Sequence, residues 1–261
     1  MKTITSLKNN VIVEAKALQS AKARQEQHCF LVDGEHMVSE AFAWMPEKIH
    51  RVFIDENELE RFSKLIENPA FSGDVFLVPA HVMQAISQVK TSQGIAAVCA
   101  IPDSAKPDLL GERLVLLENV QDPGNVGTIF RTIDAVGFHG IILTPGCADP
   151  LGPKALRATM GSVYRIPVCF VPDAKTALNF LNDRGYATIA AALDGEPFYQ
   201  RGILPEKICV CIGNEGNGLR PDTIEECRFH YRLPMRGNAE SLNAAVACAV
   251  MMYDLMRQEP E

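Results

Sequence analysis

The sequence predicts an α/β protein with two domains, the second built on a parallel sheet. Apolar strand-like runs alternate with helical stretches along the 261 residues, which is the pattern of layered α/β domains. In the second half the runs at 114–117 and 208–213 are almost wholly apolar, as strands buried on both faces of a parallel sheet are. Residues 101–112 hold two prolines, polar residues and no periodicity, which indicates a linker. We therefore predict a smaller α/β domain over 1–101, a linker at 102–111 and a larger domain over 112–261.

The N-terminal domain is predicted to alternate helices and strands after an irregular lead at 3–10. Its helical stretches carry apolar residues at helical spacing, and its strands are short runs of β-branched, aromatic and other apolar residues. The expected helices are 11–26, 35–44, near 58–67 and 81–89, and the expected strands are 29–32, 52–55, 75–78 and 95–100.

The C-terminal domain shows the more regular alternation. The expected strands are 113–118, 140–143, near 166–171, 186–191, 208–213 and a short one at 232. The expected helices are 126–136, 154–161, 174–184 and a last helix that follows residue 241. Regular strand–helix alternation favours a parallel sheet, in which ligands bind at the carboxyl ends of the strands.

Composition excludes several classes of protein. An apolar fraction of 47% and a charged fraction of 22% are those of an ordinary soluble protein. The first ten residues contain no apolar signal region and no run reaches transmembrane length, so we expect a cytoplasmic protein. The eight cysteines lie mostly in apolar runs, and neither they nor the six histidines show the spacing of a metal site or a redox motif. We expect no metal and no disulfide framework.

The stretch D-P-G-N-V-G at 122–127 joins a buried strand to a helix. A Rossmann loop needs G-x-G-x-x-G, and only Gly124 and Gly127 are present. Asn125 has a structural explanation as the N-cap of the helix. Arg131 lies almost opposite the apolar face of that helix, so it is outside the core. It is either a solvated surface charge or a functional one.

Two further stretches carry polar residues after predicted strands. Three glycines in G-N-E-G-N-G at 213–218 let the backbone turn tightly and approach a ligand closely, although a flexible surface turn explains them equally. Lys154 and Arg157 are one helical turn apart, so they either hold a phosphate together or face solvent.

The C-terminal helix is apolar on all sides. From 244 to 253 every residue is apolar apart from the hydroxyl of Tyr253, and such a helix must be covered on all sides. One chain of this size rarely buries a terminal helix so completely, which favours a partner subunit. Ser241 can serve as the N-cap, and the free N–H groups at the helix start suit a polar or anionic ligand. A plain packing helix with a capped start is the alternative.

Three stretches, in this order and spacing, resemble the signature motifs of the SpoU (TrmH-type) RNA ribose methyltransferases of the SPOUT class. They are LLENVQDPGNVGTIFRTIDAVG at 116–137, CVCIGNEGNGL at 209–219 and RLPMRGNAESLNAAVACAVMMYDLMR at 232–257. The resemblance covers about 112–257. It implies a SPOUT-type parallel sheet with a C-terminal trefoil knot, S-adenosyl-L-methionine as cofactor, and a homodimer with the cofactor near the interface.

The resemblance also assigns roles to residues. It implies that Arg131 helps to activate a ribose 2′-hydroxyl, that Glu215 lies in the active site, and that Ser241 and Asn243 are polar groups beside the cofactor. It places Gly213 and the backbone at Leu233 and Leu242 in the cofactor pocket, which we expect the loop 144–146 to complete. The expected catalytic set is Arg131, Asn125, Glu215, Ser241 and Asn243, and the expected cofactor-binding set is Thr144, Gly146, Gly213, Leu233 and Leu242.

The first domain carries a second resemblance. The pattern S-L-K-N-N, K-A-R, F-L-V-D-G-E and V-S-E-A within 6–41 is similar to the L30e-like substrate-binding domain often fused ahead of SpoU catalytic domains. Because ribosomal-RNA members carry such an extension, the resemblance favours 23S ribosomal RNA as substrate. A transfer RNA, an RNA-binding protein without turnover, and methylation of a small molecule or protein remain alternatives.

The charge distribution bears on RNA binding. The net charge of −7 is unfavourable, because phosphate contacts usually need a basic surface. Residues 1–24 carry five lysines and arginines against one glutamate, whereas residues 25–100 carry five basic against eleven acidic residues. The first segment is therefore either a local RNA-binding patch or a solvated helix face.

Overall fold

A computed structural model describes residues 1–257, so the last four residues of the predicted catalytic domain lie outside the described part. The strands are β1 (Lys2–Thr3), β2 (Cys29–Asp33), β3 (Ile49–Asp55), β4 (Asp74–Val78), β5 (Ile95–Ala100), β6 (Arg113–Leu117), β7 (Gly140–Leu143), β8 (Val168–Phe170), β9 (Ala187–Pro197), β10 (Ile208–Ile212) and β11 (Phe229–Arg232). The α-helices are α1 (Asn10–Ala17), α2 (Ala21–Gln27), α3 (Glu35–Trp44), α4 (Leu59–Ile66), α5 (Ala80–Ile86), α6 (Pro123–Val136), α7 (Pro153–Thr159), α8 (Ala174–Asp183), α9 (Pro221–Glu226) and α10 (Ala244–Met256).

The chain packs as two compact units. The first contains Met1–Asp103 together with Leu151–Arg165, and the second contains Ser104–Pro150 and the described residues from Ile166 onwards. The segment Leu151–Arg165 follows β7 in sequence but packs in the first unit, where the Arg165 guanidinium lies 2.7 Å from the Glu40 carboxylate. Packing therefore groups this segment with the N-terminal residues, although the motifs place it inside the methyltransferase region.

The first unit is built on a mixed sheet with the order β1-β4-β3-β5-β2. β1, β4 and β3 are parallel, and β5 runs antiparallel to both β3 and β2. The expected helix at 35–44 and strand at 95–100 are confirmed to the residue. The single helix expected over 11–26 is wrong, because the chain breaks after α1 and Ser20 caps α2 by accepting from the Ala23 N–H.

Arg24 changes the predicted charge of the N-terminal segment. Its side chain is buried, and its guanidinium donates to the carbonyl oxygens of Leu18 (2.9 Å) and Gln19 (3.0 Å) at the end of α1. The Lys2 ammonium lies 3.1 Å from the Asp74 carboxylate. Part of the basic charge at 1–24 is thus committed to the fold, which weakens the case for an RNA-binding patch there.

The second unit contains the predicted parallel sheet, with the order β11-β9-β10-β6-β7-β8 and parallel pairing at each step. β10 is buried along its whole length and β6 is buried from Leu114 onwards, which explains the almost purely apolar sequences of these segments. From β6 the chain extends the sheet to β7 and β8, and then returns to the other side of β6. This reversal puts the topological switch point between β6 and β10, where ligands of such sheets bind. The trefoil knot stays a prediction from the resemblance.

Helix α6 follows β6 directly. Asp122 is its N-cap and accepts from the Asn125 N–H at 3.0 Å, Pro123 occupies the first turn, and Gly137 ends the helix at φ +73°. The structural explanation of Asn125 as the N-cap is therefore wrong, because the helix begins three residues earlier than expected. The expectation for Arg131 is confirmed, since it lies on the exposed face.

Helix α10 buries one side and exposes the other. Its N-cap is Asn243 and not Ser241, because the Asn243 Oδ1 accepts from the N–H groups at 245 and 246. Met252 is fully buried, whereas Val246 and Tyr253 are about half exposed. The covering expected for a wholly apolar helix is therefore present on one side only. Within residues 1–257 no helix is long and apolar enough to cross a membrane.

Candidate active site

Two loops leave the sheet side by side at its carboxyl edge. Leu117 at the end of β6 pairs with Ile212 at the end of β10, so the loop at 118–122 and the loop at 213–220 emerge next to each other. They are the first and second predicted motifs, almost one hundred residues apart in sequence. The switch point of the sheet therefore brings these two motifs together.

The second of these loops, which we call the glycine loop (213–219), is a tight turn. The N–H of Asn214 donates to the Gly218 carbonyl at 3.0 Å, and the Gly218 N–H donates back at 2.9 Å. A Cβ on Gly213 would lie 2.1 Å from the Gly218 carbonyl carbon, and Gly218 has a φ of +68°. Both positions therefore need glycine, the first for space and the second for its backbone conformation.

Glu215 ties the glycine loop to the first motif. One carboxylate oxygen accepts from the Asp122 N–H (3.0 Å) and from the Asn125 side-chain amide (2.9 Å), and the other accepts from the Gln121 N–H (3.1 Å). The Asn214 amide adds a bond to the Asn119 carbonyl at 2.9 Å. Both oxygens of Glu215 are thus engaged, so its side chain is fixed in position.

These hydrogen bonds govern the protonation of Glu215. Partial burial by itself would raise the pKa of the carboxyl group, because it disfavours the charged form. The bonds from the Asn125 amide and from the backbone N–H groups of Asp122 and Gln121 outweigh this effect, and the pKa is held below its usual value. Glu215 is therefore ionised near neutral pH.

The series of polar contacts continues from the first motif to the third. The Asn243 amide donates to the Asn125 Oδ1 at 2.8 Å, while its own oxygen caps α10. Glu215, Asn125 and Asn243 consequently form one hydrogen-bonded series that joins all three motifs. Three of the five residues of the expected catalytic set are connected in this way.

A cavity lies beside this series. Its volume is about 360 Å³, which is within the usual range for a small-molecule site. The walls come from the glycine loop, from the start of α10 with the residues before it, and from residues 191–194 of β9. Of the expected site residues, the cavity is lined by Gly213, Glu215, Leu233, Ser241 and Leu242.

Thr144 and Gly146 are not among the residues lining the cavity. The Asn119 N–H donates to the Thr144 hydroxyl at 3.2 Å, and a Cβ on Gly146 would lie 2.2 Å from the Asn119 side-chain oxygen. The reason is topological, because β7 and β10 pair with opposite edges of β6 and are therefore about 10 Å apart. The loop 144–146 supports the first motif instead of facing this cavity.

Arg131 also lies outside the cavity. Its side chain is exposed on α6, and it makes no hydrogen bond or salt bridge with any residue in the range 1–257. The fold does not use its charge. Lys154 and Arg157 of α7 are exposed as well, which leaves both of their interpretations open.

Sequence reasoning missed Glu118. This carboxylate is almost fully buried, and it accepts from the Thr223 hydroxyl at 2.6 Å and from the Arg220 N–H at 2.8 Å. Its own N–H donates to the Ile212 carbonyl at 2.9 Å. One residue thus holds both the entry and the exit of the glycine loop. The available signal was a carboxylate directly after a buried strand, where a charge needs a partner.

The cysteines and histidines form no further site. All eight cysteines are free thiols. No cluster of three potential metal ligands occurs in the part of the chain that the structure describes.

Comparison with known protein families matches both halves of the chain. A family model described as the SpoU rRNA Methylase family matches residues 112–253. A second model, described as the MRM3-like substrate binding domain, matches residues 9–97.

Individual relatives match along most of the chain. The 23S rRNA (guanosine(2553)-2′-O)-methyltransferase RlmP of Bacillus subtilis is 31% identical and covers 98% of this chain and 99% of its own. The 23S rRNA (guanosine-2′-O-)-methyltransferase RlmB of Coxiella burnetii is 30% identical and covers 86% and 94%. The crystal structure of an AdoMet-bound rRNA methyltransferase from Sinorhizobium meliloti gives a TM-score of 0.87 at 30% identity, over 99% and 98% of the two chains.

Proposed function

Because the chain belongs to the SpoU rRNA methylase family, we propose that it transfers a methyl group from S-adenosylmethionine to a ribose 2′-hydroxyl of RNA. The observation that carries this proposal is the joining of three separated motifs by one polar series beside one cavity. That arrangement offers a pocket for the methyl donor and ordered polar groups next to it.

The cavity fits the cofactor. Its volume and its mixture of apolar side chains with backbone groups suit an adenosine and a short amino-acid chain. The glycine at 213 leaves the backbone open where a Cβ would collide with the opposite strand of the turn. Gly213, Leu233 and Leu242 would hold the cofactor. When bound, S-adenosylmethionine supplies an electrophilic methyl group.

Thr144 and Gly146 take a supporting role in this proposal. They contact Asn119, whose carbonyl in turn accepts from Asn214 of the glycine loop. Their effect on the cofactor is therefore indirect, through the shape of the first motif.

The protein's own groups would prepare the hydroxyl. A ribose 2′-hydroxyl is a poor nucleophile and must lose its proton as it attacks, so a nearby cation that lowers its pKa accelerates the transfer. Arg131 has the free charge for this role. Because the arginine pKa is above ~12, it acts by polarising the hydroxyl or pairing with the adjacent phosphate, and not as an ordinary base.

The polar series would position the reactants. Glu215 has both oxygens occupied and is ionised, so it orients Asn125 and the first motif instead of removing a proton. Asn125 and Asn243 hold each other, and Ser241 lies on the cavity wall with its hydroxyl available to the ribose. Ordering two reactants in this way is a large part of the rate enhancement in such bimolecular transfers.

Ribosomal RNA is the proposed substrate. The relatives from Bacillus subtilis and Coxiella burnetii are named for 23S rRNA, and both matches extend over most of this chain. We assign substrate binding to the N-terminal domain (1–101) and catalysis to the domain at 112–261. We also propose that the protein acts in the cytoplasm, where the expectation from the sequence puts it. Transfer RNA is the alternative that the substrate assay must exclude.

We further propose a homodimer in which α10 contacts a second copy. Val246 and Tyr253 are seven residues apart on one face of α10, and both are about half exposed. Tyr199 and Ile203 add exposed apolar surface within the same unit, next to Arg201, whose guanidinium pairs with Asp254 of α10. Large apolar residues exposed in neighbouring parts of one unit are what a subunit interface would cover.

The proposal is tested by binding and transfer. Calorimetry should show that the protein binds S-adenosylmethionine, and tritium from its labelled methyl group should enter ribosomal RNA but not transfer RNA. Label that survives ribonuclease would indicate a protein or small-molecule acceptor and contradict the proposal. Cofactor binding without any transfer to RNA would indicate an RNA-binding protein that lacks turnover.

A further inference from the structure

Strand β9 leaves its sheet for five residues in the middle of its length. Against β11, Ala190 pairs with His230 and Glu196 pairs with Tyr231, so consecutive residues of β11 face residues six apart on β9. We call the residues between them the β9 bulge (191–195). Gly195 closes the bulge, since a Cβ there would lie 2.7 Å from the His230 carbonyl group. The close approach makes the bulge a built feature of the sheet.

The β9 bulge forms one wall of the cavity and brings a carboxylate to it. The charged residues that line the cavity are Asp194, Glu215 and Arg232. Glu215 is occupied by three donors, and the Arg232 guanidinium donates to the Gly195 carbonyl at 3.2 Å. Asp194 is exposed and makes no hydrogen bond or salt bridge to any residue within 1–257. Its carboxylate on the cavity wall is therefore available to interact with solvent or with a bound ligand.

We propose that the Asp194 carboxylate recognises the positively charged methionine end of S-adenosylmethionine, an inference that rests on the proposed function. At the end away from the adenine the cofactor carries an ammonium, a sulfonium and a carboxylate, so that end has a net positive charge. With two carboxylates and one guanidinium on its wall, the cavity has a net negative charge that attracts that end. The effective dielectric constant near a protein surface is lower than that of water, which strengthens the attraction. Gly213, Leu233 and Leu242 would then hold the rest of the molecule, and Asp194 would set its orientation.

A simpler explanation is that Asp194 only keeps the β9 bulge polar and solvated. The two explanations differ in which ligands respond to the loss of the charge. A solvating role predicts no effect on any ligand, and a structural role in the bulge predicts an equal effect on all of them. Recognition of the methionine end predicts an effect that depends on whether the ligand carries that end.

The test is calorimetry on full-length wild type and Asp194→Asn with S-adenosylmethionine, S-adenosylhomocysteine and 5′-methylthioadenosine, which lacks the amino-acid end. We expect Asp194→Asn to lower the affinity for S-adenosylmethionine about fivefold or more and to change the affinity for methylthioadenosine by no more than about twofold. The difference between wild type and variant should be smaller at high salt. An equal loss of affinity for S-adenosylhomocysteine would show that the Asp194 carboxylate pairs with the ammonium. A loss of affinity for S-adenosylmethionine alone would show that it pairs with the sulfonium.

Glu196→Gln is the matched control, because it removes an exposed acid of the same strand that does not line the cavity. It should leave all three affinities within about twofold, as expected for a solvent-screened charge outside the cavity. Unchanged binding of S-adenosylmethionine to Asp194→Asn, or equal weakening of methylthioadenosine, would overturn this inference alone. If wild type bound no S-adenosylmethionine, the proposed function and this inference would both fail.

Discussion

Replacement of Glu118 by alanine should destabilise the C-terminal unit and loosen the glycine loop. The side chain is 5% exposed, and its two oxygens accept from the Thr223 hydroxyl (2.6 Å) and the Arg220 N–H (2.8 Å). Alanine leaves both donors without a partner. It also releases Arg220, the residue that follows the glycine loop, so the cavity wall loses its anchor.

The structure sets the magnitude of the effect. A buried donor left unsatisfied costs about 1–3 kcal/mol. The Thr223 hydroxyl is almost fully buried, whereas water can reach the partly exposed Arg220 N–H, so the total should be about 2–4 kcal/mol. For a chain of this size that corresponds to a fall in Tm of roughly 5–15 °C. Glu118→Gln keeps an acceptor for Arg220 and a polar partner for Thr223, so it should lose less than half as much.

Thermal unfolding and cofactor calorimetry measure the two effects, and Thr188→Val is the matched control. The Thr188 hydroxyl is fully buried, donates to the Asn182 side-chain oxygen at 2.8 Å and accepts from the Arg228 N–H at 3.0 Å. Thr188→Val thus removes two hydrogen bonds of a buried hydroxyl in the same unit, at a position that does not line the cavity. We expect a similar fall in Tm for both variants, but an approximately tenfold loss of cofactor affinity only for Glu118→Ala.

Two results would refute this reasoning. A fall in Tm below about 2 °C for Glu118→Ala would show that the buried carboxylate is not needed by its two donors. An equal loss of cofactor affinity in Thr188→Val would show that general destabilisation, and not the position of the glycine loop, controls binding.

Four further predictions concern the site and the assembly. Gly213→Ala should abolish cofactor binding by calorimetry, because its Cβ would lie 2.1 Å from Gly218, and normal affinity would contradict the tight turn. The pKa of Glu215 is lowered in the folded state, so the stability that its charge contributes is complete above about pH 4.5 and is lost as the pH falls through the lower pKa of the folded protein. The Tm difference between wild type and Glu215→Gln should therefore shrink in that acidic range. A constant Tm difference down to about pH 3 would refute this prediction. Arg131→Ala should change stability by no more than about 0.5 kcal/mol but lower single-turnover methyl transfer by a factor on the order of 10², and a near-normal rate would remove Arg131 from the mechanism. Tyr253→Asp should shift the solution mass from about twice 28.6 kDa towards 28.6 kDa, whereas a wild-type monomer at micromolar concentration would exclude the dimer.

Much of the fold could be predicted because it depends on local patterns. Continuous apolar runs identified β6 and β10 as strands of a parallel sheet, and helical periodicity placed Arg131 on the exposed face of α6. The resemblance of the three motifs to the SpoU family is confirmed by the family match over 112–253. Such features are decided within a few residues of sequence, where periodicity is informative.

Helix starts were predicted less well, since several nearby residues could act as caps. Ser241, Asn243 and Asn125 all have side chains suited to an N-cap. Asn243 caps α10, and Asp122 caps α6 before the chain reaches Asn125. Asn125 is thereby free to bond Glu215 and Asn243, which is the contact that gives it a place in the site.

The remaining features depend on contacts between distant residues. Glu118 meets its partners more than one hundred residues later in the chain, and no pattern around it indicates them. The loop 144–146 was expected to complete the cofactor pocket, but the strand order puts β6 between β7, which this loop follows, and β10, which the glycine loop follows. Periodicity does not reveal strand order. Asp194 was missed because the β9 bulge is a property of pairing with β11.

The most direct test of the central claim is the position of the methyl group on the RNA. Methylation of a ribose 2′-oxygen removes the nucleophile that cleaves the adjacent phosphodiester in alkali, whereas methylation of a base leaves it in place. Ribosomal RNA labelled by the enzyme from methyl-tritiated S-adenosylmethionine should therefore release its label as alkali-resistant dinucleotides. Label recovered in mononucleotides, as from a methylated base, would contradict the account.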